Sequence, residues 1–175
     1  MEEELRMIFQ RKNSYMDYKK IIDNYFKEAV KGLSTPVLKD KEAWYNYVIN
    51  LPIHLQVVYT VIVFHQQVFN GGLHQYFFNP YGQFAFITAD HLNLLKAHEQ
   101  EDVLRRAILL VNADGFSIKE FRERIYNRTL EKIVNFDEML NVSLDLLDTE
   151  YYELNENLEQ LLVDYLKTTC SQLNN

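Results

Sequence analysis

Five histidines, at positions 54, 65, 74, 91 and 98, are the first residues to weigh for chemistry, because imidazole serves as both metal ligand and general base. His91 and His98 fall seven apart on what the apolar pattern predicts to be one helix. That spacing sets them about 10 Å apart along its axis, too far to share a metal ion. No His-Glu-x-x-His pattern occurs, and ordinary hydrogen bonding is the expectation for all five. The single cysteine, Cys170, and the scattered Ser and Thr residues lie on no Gly-x-Ser-x-Gly elbow. Gly71-Gly72 lacks the Gly-Lys-Ser/Thr continuation or third glycine of a phosphate-binding loop. These residues predict neither a metal site nor a bound cofactor, and no enzyme.

Carboxylates are the other reactive type, and their placement is uneven. No Lys or Arg occurs between Lys132 and Lys167, yet that interval holds Asp137, Glu138, Asp145, Asp148, Glu150, Glu153, Glu156, Glu159 and Asp164. The net charge of −7 therefore belongs to one segment, and the remaining 16 acids face all 18 basic residues. Solvated carboxylates keep ordinary pKa values and do little acid-base work. A coherent acidic face would instead attract a basic partner, whereas direct binding to DNA or RNA would call for a basic stripe.

A third feature is Asn70-Gly71-Gly72-Leu73-His74-Gln75-Tyr76-Phe77-Phe78-Asn79-Pro80. Adjacent glycines allow a sharp backbone turn, and three aromatics follow at once. His74 and Gln75 read in two ways. They are polar anchors of a small-molecule pocket rimmed by Tyr76, Phe77, Phe78 and Tyr81, or they join Asn79 in bonding exposed backbone at the turn while the aromatics fill the core.

Helices must carry these groups. Ser14-Tyr15-Met16-Asp17 has the Ser-x-x-acid pattern of a helix start, and Tyr18, Ile21, Ile22, Tyr25, Phe26 and Ala29 follow with helical period up to Gly32. A second helix is expected over 39–49, with Pro52 in the first turn of the next. Residues 53–69 are apolar nearly all round, too long for a strand, and predict a buried central helix. The glycine corner ends it, a short helix carries 73–78, and Pro80-Tyr81-Gly82 turns the chain. Further helices are predicted over 84–97, over 101–111 and from the capping box Ser117-Ile118-Lys119-Glu120 through Ile133. The last helix carries Leu158, Leu161, Leu162, Tyr165 and Leu166, its start marked by Asn157 and Gln160. No internal repeat or linker is visible, so residues 1–175 are expected to form a single all-α domain around the central helix.

Composition agrees with that architecture. Apolar residues make up 47% of the 175 residues while Gly (5) and Pro (3) are scarce, which disfavours both disorder and a turn-rich β-sandwich. One cysteine allows no intramolecular disulfide and fits a reducing cytoplasm. Met1-Glu2-Glu3-Glu4 has the wrong charge for a signal peptide, and apolar runs such as Val61 to Phe64 fall far short of the ~20 residues that cross a bilayer.

The run Phe69 to Gly82 resembles the "NNGGFxQFFFNxxG" signature of the bacterial DNA-mimic protein domain family, matching at Asn70, Gly71, Gly72, Gln75, Phe77, Phe78 and Asn79. Asp145 to Glu153 and Glu156 to Leu166 are similar to that family's closing "LDxxFYxLxENLxxLLxxYI" element, and Leu51-Pro52 also agrees; the similarity covers roughly residues 45–168. The resemblance implies an all-helical fold and a homodimer whose acidic surface imitates duplex DNA and occupies the DNA-binding face of a helix-turn-helix regulator. Asp145, Asp148, Glu150, Glu153, Glu156 and Glu159 are the candidate partner-binding residues. Two functional classes stay open: a non-enzymatic acidic interaction protein that binds a basic protein in the cytoplasm, and a small-ligand or catalytic domain centred on the Gly71-Gly72 corner.

Overall fold

The computed structural model describes residues 17–173, with side chains to residue 169. Among the described residues no strand occurs. The chain runs through α1 (17–30), α2 (Thr35–Lys39), α3 (Lys41–Ile49), α4 (Ile53–Phe78), a 3-10 turn (Pro80–Phe84), α5 (Ala85–Leu94), α6 (His98–Val111), α7 (Ile118–Asn127), α8 (Glu131–Val134), α9 (Glu138–Glu153) and α10 (Leu158–Leu173). The architecture is all-α. The expected helix start at Ser14 to Met16 and the side chain of Cys170 lie outside the described residues.

α4 is the axis of the fold because its sequence offers no polar face over 57–64 except Thr60, and every residue of that stretch is buried. α5 and α9 pack directly on α4, and α9 also packs on α6. One apolar cluster joins Phe64, Tyr76 and Phe77 of α4 to Leu92, Leu104, Phe121, Leu144 and Leu162. Burying each such side chain contributes about 1.5–3 kcal/mol. Thr60 is satisfied inside this core by donating to the Gln56 carbonyl at 3.0 Å and meeting His91 Nδ1 at 2.8 Å.

Local chemistry sets the helix ends, and it shifts several of the expected boundaries. α2 was not anticipated from the sequence; Pro36 opens it, and Asp40 then caps α3 by accepting the Ala43 amide at 2.8 Å. Pro52 stands at the cap of α4, one place before the first turn. His91 and His98 do not share a helix: α5 ends at Leu94, and Lys96 takes a left-handed conformation at φ 62°. His91 is therefore a buried core residue and His98 an exposed one at the start of α6. The Ser117 hydroxyl caps α7 by accepting the Glu120 amide at 3.3 Å, but the Glu120 carboxylate bonds Arg124 instead of returning to the cap. Arg128, also left-handed at φ 54°, ends α7 and separates Leu130 and Ile133 from it. The α10 start behaves as expected, with Asn157 Oδ1 accepting the Gln160 amide at 3.0 Å.

Candidate functional site

The glycine corner is a break inside α4. Gly71 is extended at φ −175°, but Gly72 sits at φ 76° and ψ −178°, a region open essentially to glycine alone. The break starts a new helical segment at Leu73 whose cap position is occupied by Gly72, a residue with no side chain to cap with. Asp148 of α9 supplies the missing acceptor, its Oδ1 taking the Leu73 amide at 2.7 Å. A Cβ on Gly72 would collide with the Asp148 carboxylate. Burial pushes the Asp148 pKa up, the Leu73 amide pulls it back, and neighbouring Asp145 raises it further.

Glu156 does the same work for α6. The α6 cap position is Ala97, which offers no side-chain acceptor. The Glu156 carboxylate, on the connection between α9 and α10, accepts the amides of His98 at 3.0 Å, Glu99 at 3.1 Å and Gln100 at 3.4 Å. A carboxylate at the positive end of a helix is favoured by both hydrogen bonds and the helix dipole.

The remaining candidate acids divide further. Glu150 is ion-paired with Arg106 of α6, which also holds Asp102. Asp145 and Glu153 are exposed, and neither forms an ion pair among the described residues. Glu159 is half-buried; burial raises its pKa, while Lys19 opposes that shift and Asp23 adds to it. The six acids thus do not act as one set. Asp148 and Glu156 bind backbone, Glu150 is matched by a cation, and Asp145, Glu153 and Glu159 remain for other contacts.

Around them lies an aromatic ridge. Phe69 is 56% exposed and packs against Tyr152, itself 47% exposed, with ring centroids 5.3 Å apart. Tyr152 is fixed by donating its hydroxyl to the Val68 carbonyl at 2.8 Å. On one side of the ridge, Phe69, Asn70, Gly71, Gly72, Asp145 and Asp148 line a concavity of about 440 Å³. On the other, a smaller pocket of about 200 Å³ contains His65, Gln100 and Glu159. His65 meets the Tyr151 hydroxyl at 2.9 Å, and burial holds its pKa below the ordinary histidine value.

His74 and Gln75 do not line either hollow. His74 Nε2 meets the Ile133 carbonyl at 3.0 Å while its ring stacks on Phe136 at 4.5 Å. Gln75 and Asn79 both donate to Gln67 Oε1, at 3.3 and 2.7 Å. Tyr76 and Phe77 are buried and Phe78 is partly so. His74, Gln75 and Asn79 therefore hold the segment that follows the break, and the concave surface is built by Phe69, Asn70, the two glycines and α9. Among the described residues no three His, Cys, Asp or Glu side chains converge as a metal ion would require. No helix among them is long and apolar enough to cross a membrane.

The Phe69–Gly82 run and the Asp145–Leu166 element, remote in sequence, thus meet on one face. No curated protein and no solved structure matches the chain. The profile of the DMP19-like protein family matches residues 49–169, a span that takes in both segments and the helices between them. The chain belongs to the DMP19-like protein family, the DNA-mimic family that its glycine-aromatic signature resembles.

Proposed function

We propose that the protein is a non-enzymatic, cytoplasmic interaction protein that docks a basic protein, such as a helix-turn-helix regulator, on the face formed by the glycine corner, the outer side of α9 and the start of α10. The observation that supports this reading is the exposure of Asp145, Phe69 and Tyr152 around one concavity, with the exposed Glu153 following Tyr152 along α9. Unpaired carboxylates beside exposed aromatics match the surface of a DNA-binding protein, which offers Lys and Arg for phosphates and apolar stems between them. The acidic patch is smaller than the sequence implies, because Asp148, Glu150 and Glu156 are engaged within the fold.

A second copy of the chain is the proposed neighbour on the adjoining face of α9. Met139, Val142 and Leu146 follow at steps of three and four, so they share one helix face, and they are exposed at 83%, 57% and 69% beside Leu109 of α6. An apolar strip of that kind marks an interface more often than an ordinary surface.

The test is a comparison of wild-type protein with the combined variant Asp145→Asn, Glu153→Gln, Glu159→Gln as bait in cell lysate, eluted by a salt gradient. The expected result is capture of a DNA-binding regulator by wild-type alone, with release by operator DNA in competition. Equal capture by both baits, or no competition by operator DNA, rejects the reading.

A further inference from the structure

The smaller pocket behind the aromatic ridge is unusual in what its polar atoms need. Gln100 is only 3% exposed; its Nε2 donates to the Glu156 carbonyl at 3.1 Å, and its Oε1 has no partner. A buried acceptor without a donor costs about 1–3 kcal/mol. Glu159, on the same wall, brings a carboxylate that no hydrogen bond or ion pair engages among the described residues. Phe69 and Tyr152 bring half-exposed rings; His65 lies tilted against Phe69 at 4.6 Å, and among the described residues no Lys or Arg stacks on either ring. An unpartnered acceptor, a carboxylate with no hydrogen-bonded partner among the described residues and half-exposed aromatic rings ask for one kind of occupant: a planar, positively charged donor.

We propose that this pocket receives an arginine side chain of the basic protein partner, its guanidinium bonded to Glu159 and Gln100 and stacked on Phe69. The inference rests on the interaction reading above and names the anchor of that interaction. A hollow of about 200 Å³ has room for a guanidinium head and its last methylenes. Arginine fits better than lysine because its fork reaches two acceptors in one plane while its face stacks. His65 adds no repulsion, since burial keeps it neutral at pH 7. Lys19, whose charge favours ionised Glu159, is the cation the arginine would supplement.

The experiment is a titration of the full chain, followed by amide NMR spectra, with N-acetyl-arginine methylamide, its lysine counterpart and its citrulline counterpart, which keeps the shape without the charge. The expected result is saturable shifts of the Gln100 side-chain amide and of His65 with arginine, and binding weaker by about tenfold or more with citrulline, the loss of one charge-assisted contact. Glu159→Gln and Phe69→Leu are each expected to weaken arginine binding by a similar factor while leaving the thermal midpoint unchanged. Absence of saturable shifts overturns the proposal. So does citrulline or lysine binding as tightly as arginine, or Glu159→Gln binding like wild-type. If arginine does not bind yet Asp145 and Glu153 still govern capture of a basic protein, the pocket is rejected and the interaction reading stands. If arginine saturates the pocket while wild-type and charge-neutralised baits capture the same proteins, the pocket is supported and that reading falls.

Discussion

Asp148 Oδ1 lies 2.7 Å from the Leu73 amide, a contact between residues 75 apart in sequence that makes a side chain of α9 the cap of a helical segment in α4. Gly72 is what permits it. Its positive φ forms the break, and its missing Cβ leaves the space that the carboxylate fills.

Gly72→Ala should therefore be costly in two ways. Strain at a glycine-only conformation is worth about 1–3 kcal/mol, and displacing the cap about 1 kcal/mol more. Asp148→Ala alone loses only the cap. In the double variant the Ala methyl has room, so the combined loss in urea denaturation should fall short of the sum by about 1 kcal/mol, a coupling a double-mutant cycle reads directly. Gly71→Ala is the control: its extended backbone suits any residue, and its Cβ meets the movable Gln75 side chain. Strict additivity of Gly72→Ala and Asp148→Ala would refute the mutual fit.

Glu156→Ala strips the acceptor from the first amides of α6 and should lower stability by about 1–3 kcal/mol. Glu156→Gln keeps one oxygen acceptor and should lose less. Hydrogen exchange gives the local signature, with protection lost first at the start of α6. Asp145→Asn and Glu153→Gln, whose carboxylates touch no backbone amide, should leave the unfolding midpoint within error of wild-type.

How far these roles were legible in the sequence depends on whether the partners are close along the chain. The all-α class followed from period and length, since 53–69 is apolar nearly all round and too long for a strand. Caps within one element, such as Ser117 and Asn157, were legible because cap and amide are three residues apart. Asp148 and Glu156 were not, because each caps a helix more than fifty residues away. Both looked like surface charge. The one available hint was negative: Gly72 and Ala97 stand where a helix needs an acceptor and have none to offer. The left-handed turns at Lys96 and Arg128 were equally hidden, because neither position carries the glycine or asparagine that announces such a turn.

The core histidine predicts the acid limit of the fold. His91 is buried beside Thr60, and burial lowers its pKa to about 4, the nearby Asp90 opposing only in part. The unfolded chain binds a proton near the ordinary histidine value of about 6.5. Between those values the unfolded state holds more protons, so stability is full above pH 6.5 and declines as pH falls toward 4. The slope from one such group is at most about 1.4 kcal/mol per pH unit, and His65, also lowered by burial, adds in the same direction. Denaturation midpoints across this range should fall with acid, and the His91 imidazole proton signals should stay at their neutral positions until pH is near 4. A His91 signal titrating near 6.5 in the folded protein would contradict the buried, neutral assignment.

Oligomeric state separates the apolar strip of α9 from the acidic face next to it. Met139 and Leu146 are so exposed that they stabilise the isolated fold little, and replacing them with a charge removes almost no internal packing. If a second copy covers the strip, Leu146→Lys and Met139→Lys should shift the sedimentation coefficient from dimer to monomer while leaving the far-UV spectrum unchanged. Because Arg106 and Glu150 flank the same strip and pair with each other, high salt should not by itself dissociate the dimer. Capture of a basic partner, by contrast, should fail at high salt, since it rests on exposed charge. A wild-type chain that sediments as a monomer at tens of micromolar would leave the strip without a second copy and reject that assignment, with the acidic face unaffected.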